Sequence, residues 1–244
     1  MHLRFLACLA ACVALAPLTR AQTLLPELAF TPTGEGERQD FPGSLGLFFT
    51  TNAPLTISSL GYWDDNLDGV DETLSVAIFN VSSGTIVSQG GNAAFLEFNG
   101  TSGALYGPTI ANQVNPPGQG LSGRTGQFRL DNLNAPIVLG AGSYALVAWG
   151  YNFFNRAINA PEGGTAVNVN SFGGILSFDD SRYSSQTGVM PTNLDSSAPQ
   201  YLMATFSPDV VAVPEPGTYA LAAGSAGLLA SWWLRRRSRG VARA

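Results

Sequence analysis

Between residues 22 and 212 no stretch of the chain sustains a helical period. Apolar residues come in short runs rich in β-branched and aromatic side chains, and Gly, Asn, Asp, Pro or Ser cuts each run off. A helix must repeat its apolar positions over several turns to bury a face, whereas a strand needs only a brief run and a turn signal at each end. The texture predicts an all-β fold: an antiparallel β-sandwich, jelly-roll-like, forming one domain over residues 22–212. Strands are expected at 45–50, 54–63, 72–81, 84–89, 126–133, 136–139, 143–152 and 200–207. Ser82, Ser83 and Gly84 supply a hairpin turn, and Gly140 and Gly142 permit positive φ in a tight return before a strand ending in Trp149. The stretch 99–125, dense in Gly, Pro, Asn and Gln, reads as an extended loop.

The first 21 residues read as a secretory signal peptide. His2 and Arg4 begin it, residues 5–18 are apolar, and Thr19 and Ala21 put small side chains at the two positions that signal peptidase inspects. A lipoprotein box, LAAC at residues 9–12 with Cys12 acylated, is the competing reading; it would strand a second apolar stretch on the product. Removal after Ala21 takes away both cysteines, Cys8 and Cys12, and the single histidine, His2; the chain has no lysine. The exported part then has carboxylates, hydroxyls, amides, aromatics and a few arginines for chemistry. That inventory excludes disulfides, zinc sites built on Cys or His, Ser-His-Asp and Cys-His nucleophiles, and lysine Schiff bases.

Charge narrows the partners further. Residues 22–212 hold five arginines (Arg38, Arg124, Arg129, Arg156 and Arg182) against 16 acidic residues, a net charge of −11. Nucleic acid is excluded as a partner of such a surface, because phosphates must be neutralised by clustered cations. An acidic surface suits solubility outside the cell, and it also offers oxygen ligands for a divalent cation.

The chain closes on VPEPGTYALAAGSAGLLASWWLRRRSRG, residues 213–240, followed by a short tail at 241–244. Residues 217–234 carry no charge and are expected to form one transmembrane helix, about 27 Å long at ~1.5 Å per residue. Trp232 and Trp233 suit the interfacial belt, and Arg235, Arg236, Arg237 and Arg239 orient that end towards the cytoplasm. Two prolines around Glu215 keep the backbone extended, as a segment presented to a processing enzyme requires. In order and spacing the segment resembles the PEP-CTERM sorting signal, with Pro214, Glu215 and Pro216 as its motif. The resemblance covers about the last 30 residues. It implies recognition by an exosortase at the inner membrane of a Gram-negative bacterium that makes exopolysaccharide. The implied route is export, an inner-membrane intermediate facing the periplasm, and then the cell surface or extracellular matrix of a biofilm.

YWDDNLDGVDETLSVAIFN, residues 62–80, is the densest polar cluster of the exported part. Asp64, Asn66, Asp68 and Gly69 match the first half of a D-x-[DN]-x-[DN]-G calcium loop, in which alternate oxygens face one ion and the glycine makes the sharp turn. The twelfth loop position is Ser75 in place of Glu, so an EF-hand is not expected; Glu72, with Asp71 beside it, supplies the carboxylate for a different closure. Calcium is thus the one cofactor the residues point to, with an acidic hairpin loop that merely makes turns as the alternative. Residues 55–87, with PIVLGAGSYALVAWGY at 136–151 and the segment 178–206, resemble a β-sandwich domain of unassigned function that recurs in PEP-CTERM proteins. Thr73 and Leu74 fall where many of its members carry a histidine.

Trp63 and Tyr151 are the candidate stacking faces for a sugar, among the aromatics Tyr62, Trp149, Phe153 and Phe154. Core filling is the competing fate of these rings, and it is the one expected for Trp149. The carboxylate pairs Asp64/Asp65 and Asp179/Asp180 invite a glycosidase reading. Neighbours on a strand point to opposite faces, however, so adjacency does not set two carboxyls across a cleft. The expected function is a non-enzymatic surface or matrix role, with a calcium-dependent carbohydrate-binding module as the alternative and a glycoside-active enzyme third.

Overall fold

A computed structural model of the chain describes residues 26–33, 37–110, 125–159 and 167–208. The signal segment, Arg124 and the tail with Pro214, Glu215, Pro216, its apolar run and its arginines lie outside the described residues. Among those described the fold is all-β, without a helix, and every strand pairing is antiparallel.

Nine strands carry the architecture: β1 (Ser44–Thr51), β2 (Leu55–Asp64), β3 (Val70–Asn80), β4 (Phe95–Gly100), β5 (Ala104–Ile110), β6 (Gly126–Leu139), β7 (Gly142–Trp149), β8 (Leu176–Ser184) and β9 (Ala204–Pro208). One sheet has four strands in the order β5-β6-β2-β9. The other has seven: Asn193–Ser196, β8, β1, β7 and β3 in order, with Thr85–Ile86 and β4 both pairing with β3. Three short strands, Glu37–Gln39, Ala157–Asn159 and Tyr201–Leu202, form a small sheet of their own.

Strict alternation produces the core. On β1, Leu45, Leu47 and Phe49 point inward; on β7, Tyr144, Leu146 and Ala148 do so, and on β3, Leu74, Val76 and Ile78. They meet Ile57, Leu60 and Tyr62 of β2 and Phe206 of β9 in one cluster shared by both sheets. Phe49 sits at its centre, with Phe206, Tyr144 and Phe30 at ring distances of 5.4, 5.9 and 6.1 Å. The intervening positions Phe48, Ala77, Phe79, Ala145 and Val147 form a second apolar layer on the outer face of the seven-stranded sheet. Half-buried Trp149 packs on that outer layer, stacked on Phe95 at 6.0 Å, and contributes nothing to the central core.

The hairpin at Ser82–Gly84 forms as expected, with Asn80 opposite Thr85 and Gly84 at φ 66°. Two expectations are corrected. The stretch 99–125 is not one loop: β4 ends and β5 runs within it, because Gly100 (φ 57°) and Gly103 (φ 84°) turn the chain so sharply that polar composition hid two strands. The runs at 126–133 and 136–139 are a single strand, β6, with an irregularity between Asn132 and Ile137. The return between β6 and β7 does not use positive φ at Gly140 or Gly142.

Candidate functional site

The acidic loop joins the end of β2 to the start of β3 in the four- and seven-stranded sheets. Arg129 on β6 lies opposite Tyr62, one same-face position from Asp64, so its guanidinium reaches the carboxylate diagonally across the ladder. Arg129 Nε donates to Asp64 Oδ2 at 2.5 Å, and Arg129 Nη2 donates to the Leu67 carbonyl at 3.0 Å. The backbone N–H of Gly69 donates to Asp64 Oδ2 at 3.1 Å, and that of Asn66 to Oδ1 at 3.4 Å. Gly69 makes the turn the sequence assigned to it: its φ is +91°, and a Cβ there would lie 2.1 Å from the Gly100 carbonyl oxygen. Asn155 clamps the exit, with its amide oriented so that Nδ2 donates to the Gly69 carbonyl (3.1 Å) and Oδ1 accepts from the Asp71 N–H (3.0 Å).

The cation that closes this loop is therefore a guanidinium. Asp65, likewise buried, takes both the Nε (2.6 Å) and Nη2 of Arg38 from the small sheet. Of the other residues expected to bind calcium, exposed Asp68 accepts from Asn66 Nδ2 at 3.3 Å, and Glu72 accepts from Asn152 Nδ2 at 3.4 Å. The structure does not bring Asp64, Asn66, Asp68 and Glu72 around one point. Among the described residues no group of three or more His, Cys, Asp or Glu side chains is placed to hold a metal ion.

The expected stacking faces are also corrected. Trp63 is 1 % exposed and meets Phe128 edge-to-face at 5.2 Å, while Tyr151 is 2 % exposed. The Tyr151 hydroxyl accepts the Trp63 N–H at 3.1 Å and donates to the Met203 carbonyl, tying β2 to the approach of β9. Burial pushes its phenol well above the ordinary value. Tyr62 is raised too, by burial first and then by the Asp64 charge, against the opposing pull of Arg129. These rings fill the domain because β2 is covered on both faces, and none of them offers a surface to a sugar. Of the aromatics weighed as sugar-stacking faces, Phe153 and Phe154 are the most exposed, set edge-to-face at 5.6 Å with the Arg156 guanidinium 4.5 Å above Phe153.

Neither carboxylate pair is arranged as a glycosidase pair. Asp64 and Asp65 each face their own arginine; Asp179 accepts from Thr50 Oγ1 at 2.8 Å, and Asp180 receives two hydrogen bonds of 2.8 Å from Arg182. With Arg156 reaching Asp40 at 3.4 Å, all four described arginines of the domain are paired with aspartates. Three of these arginines, Arg38, Arg129 and Arg156, are buried, and each pair neutralises one arginine with one aspartate.

A cleft that no sequence pattern marked lies between the small sheet and the edge of the seven-stranded sheet, with a volume of about 280 Å³. In the small sheet Asn159 pairs with Glu37 and Tyr201, and Gln39 with Ala157. Gln39, Asn159 and Tyr201 therefore share one face, while Arg38, Ile158 and Leu202 turn to the interior. Phe41, Leu45 of β1, Tyr183 of β8 and Asp195 complete the described lining, and no cationic side chain is among these residues. Phe41 and Tyr183 meet edge-to-face at 5.9 Å. The Tyr201 hydroxyl donates to Asp195 Oδ2, and its phenol is raised by burial first and then by that carboxylate. Gln39 Oε1 and Asn159 Oδ1 are buried without a hydrogen-bond partner among the described residues. An orphaned acceptor costs roughly 1–3 kcal/mol, so two at one cleft mark it as a place where donors are missing.

In comparisons with known proteins, no family model and no curated protein matches this chain.

Proposed function

We propose that the protein is exported and sorted by an exosortase through a PEP-CTERM tail, and that it serves a non-enzymatic structural or adhesive role at the cell surface or in exopolysaccharide. One observation carries this reading: Pro214, Glu215 and Pro216, the uncharged run 217–234, and Arg235, Arg236, Arg237 and Arg239 follow one another in the order a sorting signal requires. The run spans the inner membrane as a single helix while the tail awaits processing, with the β domain on the periplasmic side. The domain is read as a jelly-roll-like sandwich. It has the traits such a destination favours: stability from an apolar core without disulfides, and an acidic surface whose described arginines are engaged in internal pairs.

Mass spectrometry of the cell-associated protein tests the sorting reading. In a strain with active exosortase the mature chain is expected to end near Pro216. A chain intact through Ala244 would leave permanent anchoring and end the sorting proposal.

A carbohydrate-binding module is the second reading, and the aromatic, carboxylate-bearing cleft supports it. Its calcium dependence has less support, since Asp64 already faces Arg129.

A further inference from the structure

We infer that the cleft bounded by Phe41, Tyr183, Tyr201 and Asp195 binds a single uncharged sugar ring of a polysaccharide, at a site distinct from the acidic loop and from Trp63 and Tyr151. The inference deepens the carbohydrate-binding reading and rests on it.

Three features of the lining converge on this ligand class. A pyranose presents apolar C–H faces and a rim of hydroxyls, so its sites combine aromatic surface with planar acceptors. Here Tyr183, 36 % exposed, and Phe41 supply the aromatic wall. Asp195 supplies the acceptor, held in place by the Tyr201 hydroxyl at one oxygen while the side chain remains exposed. Gln39 and Asn159 add two side-chain amides to the lining; each oxygen is buried without a hydrogen-bond partner among the described residues, and rotation of the amide turns a polar group towards the hydroxyls of a seated ring.

Charge selects among sugars. Asp195 lines the cleft and no cation among the described residues does, so a uronate or a sulfated or phosphorylated sugar would bring a second negative charge that no described side chain offsets. The volume of about 280 Å³ holds one ring, with the rest of a glycan chain left outside. Among the described lining residues Asp195 is the one carboxylate, which fits retention of the glycan.

The full chain, purified in a detergent without a sugar headgroup, is screened on immobilised oligosaccharides of glucose, mannose and galactose beside uronic-acid oligosaccharides. The best neutral binder is then titrated calorimetrically. The expected result is saturable binding to a neutral oligosaccharide, weakened about tenfold or more by Tyr183→Ala and by Asp195→Ala. Phe154→Ala, on the exposed aromatic pair away from the cleft, is expected to leave it unchanged. The more conservative Tyr201→Phe and Asp195→Asn keep the shape of the site, and thermal melting confirms that each variant is folded. Neutral binding that survives Tyr183→Ala and Asp195→Ala overturns this cleft while sparing the carbohydrate-binding reading. Absence of any glycan binding overturns both. Binding confined to uronic-acid oligosaccharides overturns the charge argument and with it the assignment.

Discussion

The buried pair of Asp64 and Arg129 decides whether the acidic loop is a structural corner or a metal site. Asp64→Asn keeps one oxygen, enough for the Gly69 or the Asn66 N–H group but not both, and removes the charge. It leaves a guanidinium whose side chain is 10 % exposed facing no carboxylate. Removing one partner of a buried pair costs about 3–5 kcal/mol. The low end applies here, because Arg129 retains the Leu67 carbonyl at 3.0 Å and weaker contacts to Thr101 and Gly103. Arg129→Met loses those contacts as well and is expected near the high end, about 5 kcal/mol. For a domain of this size each kcal/mol lowers Tm by roughly 2–4 °C, so Asp64→Asn should melt about 6–12 °C below the parent.

Urea unfolding of both single variants and the double variant, followed by tryptophan fluorescence with and without millimolar calcium, closes a double-mutant cycle. A coupling energy of about 2 kcal/mol or more between the two sites is expected, with no calcium effect on the parent. Additivity within about 0.5 kcal/mol would refute the pairing argument. Calcium stabilisation of the parent that Asp64→Asn abolishes would do the same and restore the metal loop.

Gly69→Ala places a side chain at φ +91° with its Cβ 2.1 Å from the Gly100 carbonyl oxygen, so a loss of about 2 kcal/mol or more is expected in the urea midpoint. An unchanged midpoint would mean that the loop is free to rearrange. Alkaline titration tests the buried phenols. Tyr62, Tyr151 and Tyr201 are all raised above 10.0, so above that pH the unfolded chain loses protons that the folded chain keeps. Stability is thus present below pH 10 and falls as pH rises, by about 1.4 kcal/mol per pH unit for each tyrosine and about 4 for the three. Equal urea midpoints at pH 9 and pH 11 would contradict their burial.

The sequence by itself determined what depends on near neighbours. Short aromatic-rich apolar runs bounded by turn residues, LGLFF and SYALVAW, were enough to expect β1 and β7, because a strand needs only a brief run and a turn signal at each end. Turn chemistry was enough for the hairpin after Asn80 and for the bend at Gly69. The same locality concealed β4 and β5, where glycines at close spacing looked like a loop. The tertiary structure alone decided what the polar residues are for. Asp64 and Asp65 looked like ligands until arginines 65 and 27 residues away supplied their counter-charges. Trp63 and Tyr151 looked available until both faces of β2 were covered. Gln39, Asn159, Tyr183, Asp195 and Tyr201 carry no joint signal along the chain; three short strands and a sheet edge bring them to one cleft. Strand propensity and turn geometry are local properties, whereas counter-ions, burial and clefts arise only from which distant strands pair and in which register.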